Sequence, residues 1–204
     1  TLNTMPREYE YPALKEFLKA LAELPNGAPD AAIVADIGVM TLVKELLPKT
    51  ELHISTQSGI VSSADAIAWH KFGATRVVLA RELSMAEIKE IRRNIPAELE
   101  IEAFIHGSMC VSFSGRCLLS NALVGRDANR GDCAQPCRWE WTLHEKTRPG
   151  MEYDIAENEG GTYIMNANDL CMGPYVDMLV EAGISSLKIE GRAKSFYYVA
   201  SVTS

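Results

Sequence analysis

Short apolar runs recur along the first hundred residues at a nearly constant interval. They are Ala31-Ala-Ile-Val-Ala-Asp-Ile37, Leu52-His-Ile-Ser-Thr56, Arg76-Val-Val-Leu-Ala80 and Leu99-Glu-Ile-Glu-Ala-Phe-Ile105. Their starts fall about 20 to 25 residues apart, the rhythm of repeated βα units that build a parallel sheet or barrel. Helical stripes fill the gaps. Leu14, Phe17, Leu18 and Leu21 form one behind Pro12, and Leu42, Val43, Leu46 and Leu47 form the next, stopped by Pro48. Residues 62–72 predict a third helix ended by Gly73. Ser84-Met-Ala-Glu87 is a capping box in front of Ile88 and Ile91, because the Ser oxygen and the Glu carboxylate can each satisfy an unpaired amide of the first turn. Short continuous strands of this kind suit a sheet buried on both faces.

The rhythm breaks after Ile105. Residues 106–160 are rich in Gly, Cys, Arg and Trp and lack helical periodicity. It resumes with Thr162-Tyr-Ile-Met-Asn166 as a strand, Tyr175 to Ala182 as a helix stopped by Gly183, Ser186-Leu-Lys-Ile-Glu190 as a last strand, and a helix from about Ala193. Six strands are visible, and Thr1-Leu-Asn3 is the tail of a seventh. A (β/α)8 barrel takes roughly 250 residues. The expected architecture is therefore an α/β, TIM-like barrel left incomplete, with six to seven strands and a Cys-rich insertion at about 106–160 after the fourth visible strand. All of it would form a single truncated catalytic domain over residues 1–204. A doubly wound sheet is the competing architecture, but the sequence lacks the Gly-rich first turn.

The chain carries 20 Lys and Arg against 27 Asp and Glu, a net charge of −7. A generic nucleic-acid coat is excluded, since phosphate binding draws on a basic surface. A local patch is not, and Arg116, Arg126, Arg130 and Arg138 concentrate in the Cys-rich loops. No apolar run reaches the roughly 18 residues of a membrane helix. The five cysteines, Cys110, Cys117, Cys133, Cys137 and Cys171, lie in one window, and none precedes it. An odd, clustered set without a signal peptide fits a disulfide scaffold poorly. It fits a reduced cytoplasmic protein with a thiol or metal site. By spacing alone, an iron–sulfur cluster, a structural zinc and buried apolar thiols all remain open.

Barrel chemistry gathers at the carboxyl ends of strands. There the sequence places Asp36, then His53, Ser55 and Gln57, then Arg81 and Glu82, then Glu102, His106 and Ser108. Asn166, Asn168 and Asp169 follow the fifth strand, and Lys188, Glu190 and Arg192 the sixth. Asn168, Asp169 and Ser84 read first as helix caps, which these residue types dominate. Trp139 and Trp141 alternate about Glu140, which suits a β-ribbon. They are also of the type that stacks an RNA base.

Glu102-x-Phe104-x-x-Gly107-Ser108-Met109-Cys110 followed by Gly115-x-Cys117-x-Leu119-Ser120 resembles the signature of the collagenase-like peptidase family, peptidase family U thirty-two. Cys133-Ala-Gln-Pro-Cys137-Arg138, Asn168-Asp-Leu-Cys171, Lys188-Ile-Glu-Gly-Arg192 and His53-x-Ser-Thr-Gln57 are similar too. The resemblance implies two activities. The family name implies a protease. The better understood branches imply an oxygen-independent hydroxylase acting on the tRNA wobble uridine, a ribosomal RNA cytidine or a ubiquinone precursor, with prephenate as oxygen source in the tRNA branch. It also implies a [4Fe–4S] cluster on Cys110, Cys117, Cys133 and Cys171, with Cys137 extra and able to replace Cys133. Partners would be tRNA or another RNA, and an electron donor or related family subunit.

The residues themselves discriminate between the names. There is no His-Glu-x-x-His and no Gly-x-Ser-x-Gly. A Cys110 nucleophile would need a base, for which His106 is the nearest in sequence. A cluster uses four of the five cysteines at once. The hydroxylase reading is favoured, with a peptidase or a zinc-stabilised scaffold as alternatives. His53, His106 and Glu190 are the candidates for proton transfer. Arg116, Arg138 and Arg192, with Gln57, are the candidates to hold a dicarboxylate, because guanidinium pairs with carboxylate through two parallel bonds.

Overall fold

The structure is a computed structural model that describes residues 1–110, 112–113, 116–139, 141–144, 146–147, 150, 152–154, 169–192 and 194–204. Five strands run parallel in the order β1 (Ala31–Val34), β2 (Glu51–Ile54), β3 (Arg76–Val78), β4 (Glu100–Ser108) and β8 (Ser186–Glu190). Leu2 adds an isolated parallel bridge to Val34 outside β1, where the sequence predicts the tail of a further strand. The helices that follow the strands, α2 (Ile37–Leu46), α3 (Ser63–Lys71), α4 (Met85–Asn94) and α6 (Val176–Glu181), all contribute to one apolar core. The sheet side of that core is Val34, Ile54, Val77, Ile101 and Ala103, which pairing register places on a single face. A parallel sheet covered by helices on one face only is a curled half-barrel.

The starts of these helices follow from local chemistry. Asp36 accepts the Val39 amide and caps α2, Ser62 caps α3, and the Ser84–Glu87 capping box forms in front of α4. The sequence places Asp36 and Ile37 at the end of a strand. The structure makes Asp36 a cap and Ile37 the first residue of the helix.

The other face of the sheet corrects the expectation of apolar burial on both sides. His53 pairs in register with Arg76, Arg76 with Glu100, Glu102 with Ser186, and Phe104 with Lys188. Residues paired in a parallel ladder share a face, so the inner face is ionic. The alternation is plain in Leu99-Glu-Ile-Glu and Ser186-Leu-Lys-Ile-Glu. One apolar face is enough to hold the helices.

Two elements in the second half differ from expectation. α5 (Leu119–Val124) is a short helix within the Cys-rich stretch, closed by Gly125 in the left-handed region. β7 (Asp169–Cys171) is a strand, where the sequence favours a cap at Asp169, and it runs antiparallel to β4. His106 and Gly107 pair with both β7 and β8, so β7 occupies the edge of β4 that β3 leaves. A small hairpin of β5 (Thr142–His144) and β6 (Glu152–Asp154) is separate from the main sheet. The predicted strand at 162–166, together with Asn166 and Asn168, lies outside the described residues. The chain closes on α7 (Phe196–Thr203), capped by Ser195. No helix among the described residues is long and apolar enough to cross a membrane.

Candidate functional site

A cavity of about 180 Å3 opens at the carboxyl ends of β2, β3, β4 and β8. Gln57, Arg81, Ser108 and Glu190 reach it from those strand ends, and Arg192 from just beyond β8. The opposite wall is the Cys-rich stretch, which supplies Cys110, Cys117, Cys133, Cys137 and Arg138. Regular βα units thus provide one side of the site and irregular loops the other.

Two of the thiols are held in a particular way. Cys117 Sγ accepts the Leu119 amide and Cys133 Sγ accepts the Gln135 amide, each at 3.3 Å. Gln135 adopts a left-handed conformation, φ 56°, ahead of the Pro136–Arg138 turn. None of the five cysteines is in a disulfide. Four of them line the cavity, and Cys171, exposed on β7, does not. Among the described residues no three His, Cys, Asp or Glu side chains are drawn together closely enough to hold a metal as they stand. The donor type and its location therefore fit a soft metal centre, while the ligand sphere is not closed in this geometry.

The three candidates for proton transfer separate. Glu190 lies on the cavity wall, with Oε1 accepting the Arg192 amide at 2.9 Å. His53 is buried on the inner face of β2, its Nε2 3.2 Å from Glu51 Oε2, away from the cavity. His106 points to the helix side, with Nδ1 2.7 Å from the Tyr198 hydroxyl of α7. A bulge in β4 between Phe104 and His106 explains this. Counting by twos from Glu102 puts His106 on the inner face, and one extra residue turns it to the other. The next residue, Gly107, has φ +115°, and a Cβ there would lie 2.2 Å from the Glu190 carbonyl oxygen. That glycine is what lets β8 close on β4 beside the cavity.

The arginines separate as well. Arg138 lines the cavity but is tied to Asp169 at 2.7 Å and to the Met109 carbonyl. Arg116 is exposed, is not part of the lining, and donates to the backbone carbonyls of Gln57 and Ser58. Arg192 crosses the cavity to lie against Gly131. Arg126 pairs with Asp132 and Arg130 with Glu10. The basic patch read from the loops is therefore largely neutralised by carboxylates. Asp169 also holds Lys194 at 2.9 Å. Partial burial would raise its pKa, but the Lys194 hydrogen bond and the Arg138 charge outweigh that and hold the carboxyl below its ordinary range. Burial and the Asp169 charge push the Tyr198 hydroxyl up.

On the inner face of the sheet, outside the cavity lining, Glu102 is buried between Lys188 Nζ at 2.7 Å, Ser186 Oγ at 2.8 Å and Arg76 Nη1 at 3.4 Å. Desolvation would raise its pKa. The Lys188 and Ser186 hydrogen bonds and the Arg76 charge more than offset it, so Glu102 stays ionised below the usual range. Phe104 stands above it, with the Arg81 guanidinium 5.0 Å and the Lys188 ammonium 5.5 Å from its ring centre.

The sequence model of Peptidase family U32 matches residues 1–204. The chain belongs to this family. The tRNA hydroxylation protein P of Escherichia coli is 39% identical over 226 residues, covering 92% of this chain and 50% of that protein. A 23S rRNA 5-hydroxycytidine synthase of Escherichia coli is 36% identical, covering 100% of this chain and 29% of that enzyme. A collagenase of Porphyromonas gingivalis is 36% identical, covering 91% and 45%. The chain spans about half the length, or less, of these curated relatives.

Within this U32 chain the motif residues read from sequence divide by position. Glu102, Phe104 and Lys188 form a cluster on the inner face of the sheet outside the cavity lining, Gly107 permits the β4–β8 closure, and Ser108, Cys110, Cys117, Glu190 and Arg192 line the cavity. Arg81 is a lining residue that the choice of binding arginines passed over, although its place just after β3 marked it.

Proposed function

We propose that this chain carries the reaction cavity of an oxygen-independent RNA hydroxylase, with a tRNA uridine as the substrate class. The observation that carries this reading is the composition of one cavity. Thiols, two of them amide-bonded, face guanidinium groups and a single carboxylate, with no histidine among the described lining residues. Relatives named for tRNA and rRNA hydroxylation support it. A peptidase reading needs a base beside Cys110, and His106, its candidate, is instead bonded to Tyr198.

The half-barrel is read as part of a (β/α)8 domain spanning residues 1–204, with the Cys-rich stretch inserted after β4. Cys110, Cys117 and Cys133 would hold a [4Fe–4S] cluster, with Cys171 as the fourth ligand by resemblance and Cys137 as the other thiol at hand. When bound, such a cluster supplies one-electron chemistry. Arg192 orients a dicarboxylate co-substrate of the prephenate type through the paired donors that guanidinium offers, while Arg138, held by Asp169 and the Met109 carbonyl, shapes the wall beside it. Glu190 holds or accepts a proton at its carboxylate, a role that falls to it because His53 and His106 lie elsewhere. Behind them, buried Glu102 holds the half-buried Lys188 against Phe104.

The test is anaerobic reconstitution of the full chain with iron and sulfide, then mass spectrometry of tRNA nucleosides after incubation with co-substrate. Stoichiometric iron and a hydroxylated uridine are expected. A protein that takes up no iron and leaves tRNA unmodified overturns the reading. Gelatin cleavage abolished by Cys110→Ala would move it to the peptidase class, and zinc without turnover to a scaffold.

A further inference from the structure

Arg81 and Ser108 stand out from the rest of the cavity wall. Arg138 is neutralised by Asp169. Arg81 has no carboxylate partner among the described residues. Its Nη1 donates to the Ser108 carbonyl at 2.9 Å, and its guanidinium stacks over Phe104. Phe104 is in turn flanked by Lys188, which the buried Glu102 holds in place. The guanidinium is thus fixed in position without being discharged. The Ser108 hydroxyl oxygen is buried and has no hydrogen-bond partner among the described residues, although Ser108 lines the cavity. A buried hydroxyl left unpaired is costly, and such groups are ordinarily satisfied by protein, ordered water or a bound group.

We infer that Arg81 and Ser108 form an oxyanion subsite that takes one carboxylate or phosphate group of a ligand in the cavity. Arg81 supplies charge and paired N–H donors, and Ser108 supplies an O–H donor that no other described residue uses. Arg192, from just beyond β8, adds a second guanidinium without a carboxylate partner among the described residues. Glu190 is the one carboxylate lining the cavity among them, and it accepts the Arg192 amide. The charge lining the cavity is therefore net positive within a chain of charge −7. A cavity of about 180 Å3 admits a small carboxylate whole, or one phosphate and its neighbouring sugar from an RNA strand. The inference rests on the reading that this cavity is the reaction site, and it does not depend on the reaction being hydroxylation.

The experiment is calorimetric titration of the reduced, anaerobic full chain with malonate, with inorganic phosphate and with a short RNA hairpin. Wild-type protein is expected to bind at least one of the two small anions. Arg81→Gln is expected to weaken that binding by about tenfold or more, the worth of a charged hydrogen bond. Arg81→Lys keeps the charge without the fork and falls between them. Ser108→Ala weakens binding by about fivefold at unchanged thermal midpoint, because the hydroxyl it removes has no partner among the described residues. Should Arg81→Gln fail to fold, Ser108→Ala carries the test alone. If Arg81→Gln spares hairpin binding while losing malonate, the ligand is a free carboxylate. If hairpin and phosphate weaken together, it is an RNA phosphate. Either result supports the subsite. Wild-type binding of neither small anion, or unchanged binding in folded variants, overturns it. Small-anion binding in a protein that never modifies RNA upholds the subsite and defeats the function proposed above. Unchanged binding with intact RNA modification does the reverse.

Discussion

Ile101 in the βα scaffold is fully buried, surrounded by a core drawn from strands and helices. Cys133 in the opposite wall is exposed, and its sulfur accepts the amide of Gln135, two residues away. The contrast extends across the two regions. The scaffold holds the long run of buried aliphatic side chains, whereas the described residues of the stretch from Cys110 to Arg138 bury little beyond Cys117, Ser120, Pro136 and Cys137. Its remaining order comes from short turns, ion pairs and amide–thiol contacts. A region with so little apolar burial has little hydrophobic stabilisation of its own. Its order depends on the scaffold at its edges.

This contrast breaks first at the core. Ile101→Ala is expected to destabilise the whole chain by about 3–4 kcal/mol, measured by urea unfolding, and by the same amount with or without metal. A loss that shrinks on metal loading would mean the two regions are not separable. Next comes Glu102→Gln, which leaves the half-buried Lys188 without its counter-charge and costs about 2 kcal/mol at neutral pH, less than a fully buried pair because the ammonium keeps some contact with water. The carboxyl is held below its ordinary value of 4.5, so its stabilising contribution is complete above that value. It is lost as pH falls through the lower folded-state value. The gap between wild type and variant should therefore be widest at pH 7 and close in acid, and a gap independent of pH would deny the ion pair its role.

In the wall, substitutions should read out in metal rather than in fold. Cys110→Ser, Cys117→Ser, Cys133→Ser and Cys171→Ser are expected to lose iron after anaerobic reconstitution with little change in the metal-free thermal midpoint. Cys137→Ser is expected to keep it. The opposite result for the last two would place the fourth ligand on the cavity wall. Smallest of all is Arg126→Ala, which removes an exposed pair with Asp132. Exposed pairs contribute little, and no shift in midpoint is expected.

The scaffold was legible because burial imposes periodicity. The stripes of α1 (Tyr11–Ala22) and α2, the Ser84 capping box and the strands at 31, 51, 76 and 100 all follow from which residues must meet the core. The cavity's position at the strand ends was legible for the same reason. His106 was misplaced because a bulge is a matter of pairing between strands, and Phe104-Ile-His106 carries no local mark of it. The antiparallel course of β7 is likewise set by its partner, since Asp169-Leu-Cys171 is too short to show a period. The pairing of Arg126, Arg130 and Arg138 with acids as distant in sequence as Glu10 could not be read from charge clustering.

Of the three tryptophans in the chain, Trp69 packs against the scaffold core. The rings of Trp139 and Trp141 are stacked with centroids 5.9 Å apart and planes 16° from parallel. The Trp141 indole donates to the Pro136 carbonyl at 2.7 Å, beside the turn that places Cys137 on the cavity. Two coupled indoles absorb and emit as a pair, so the wall has its own optical signature. With Trp69 replaced by Phe, emission and near-ultraviolet dichroism would follow the cavity wall alone, and ligand or metal arriving there could be timed without any label.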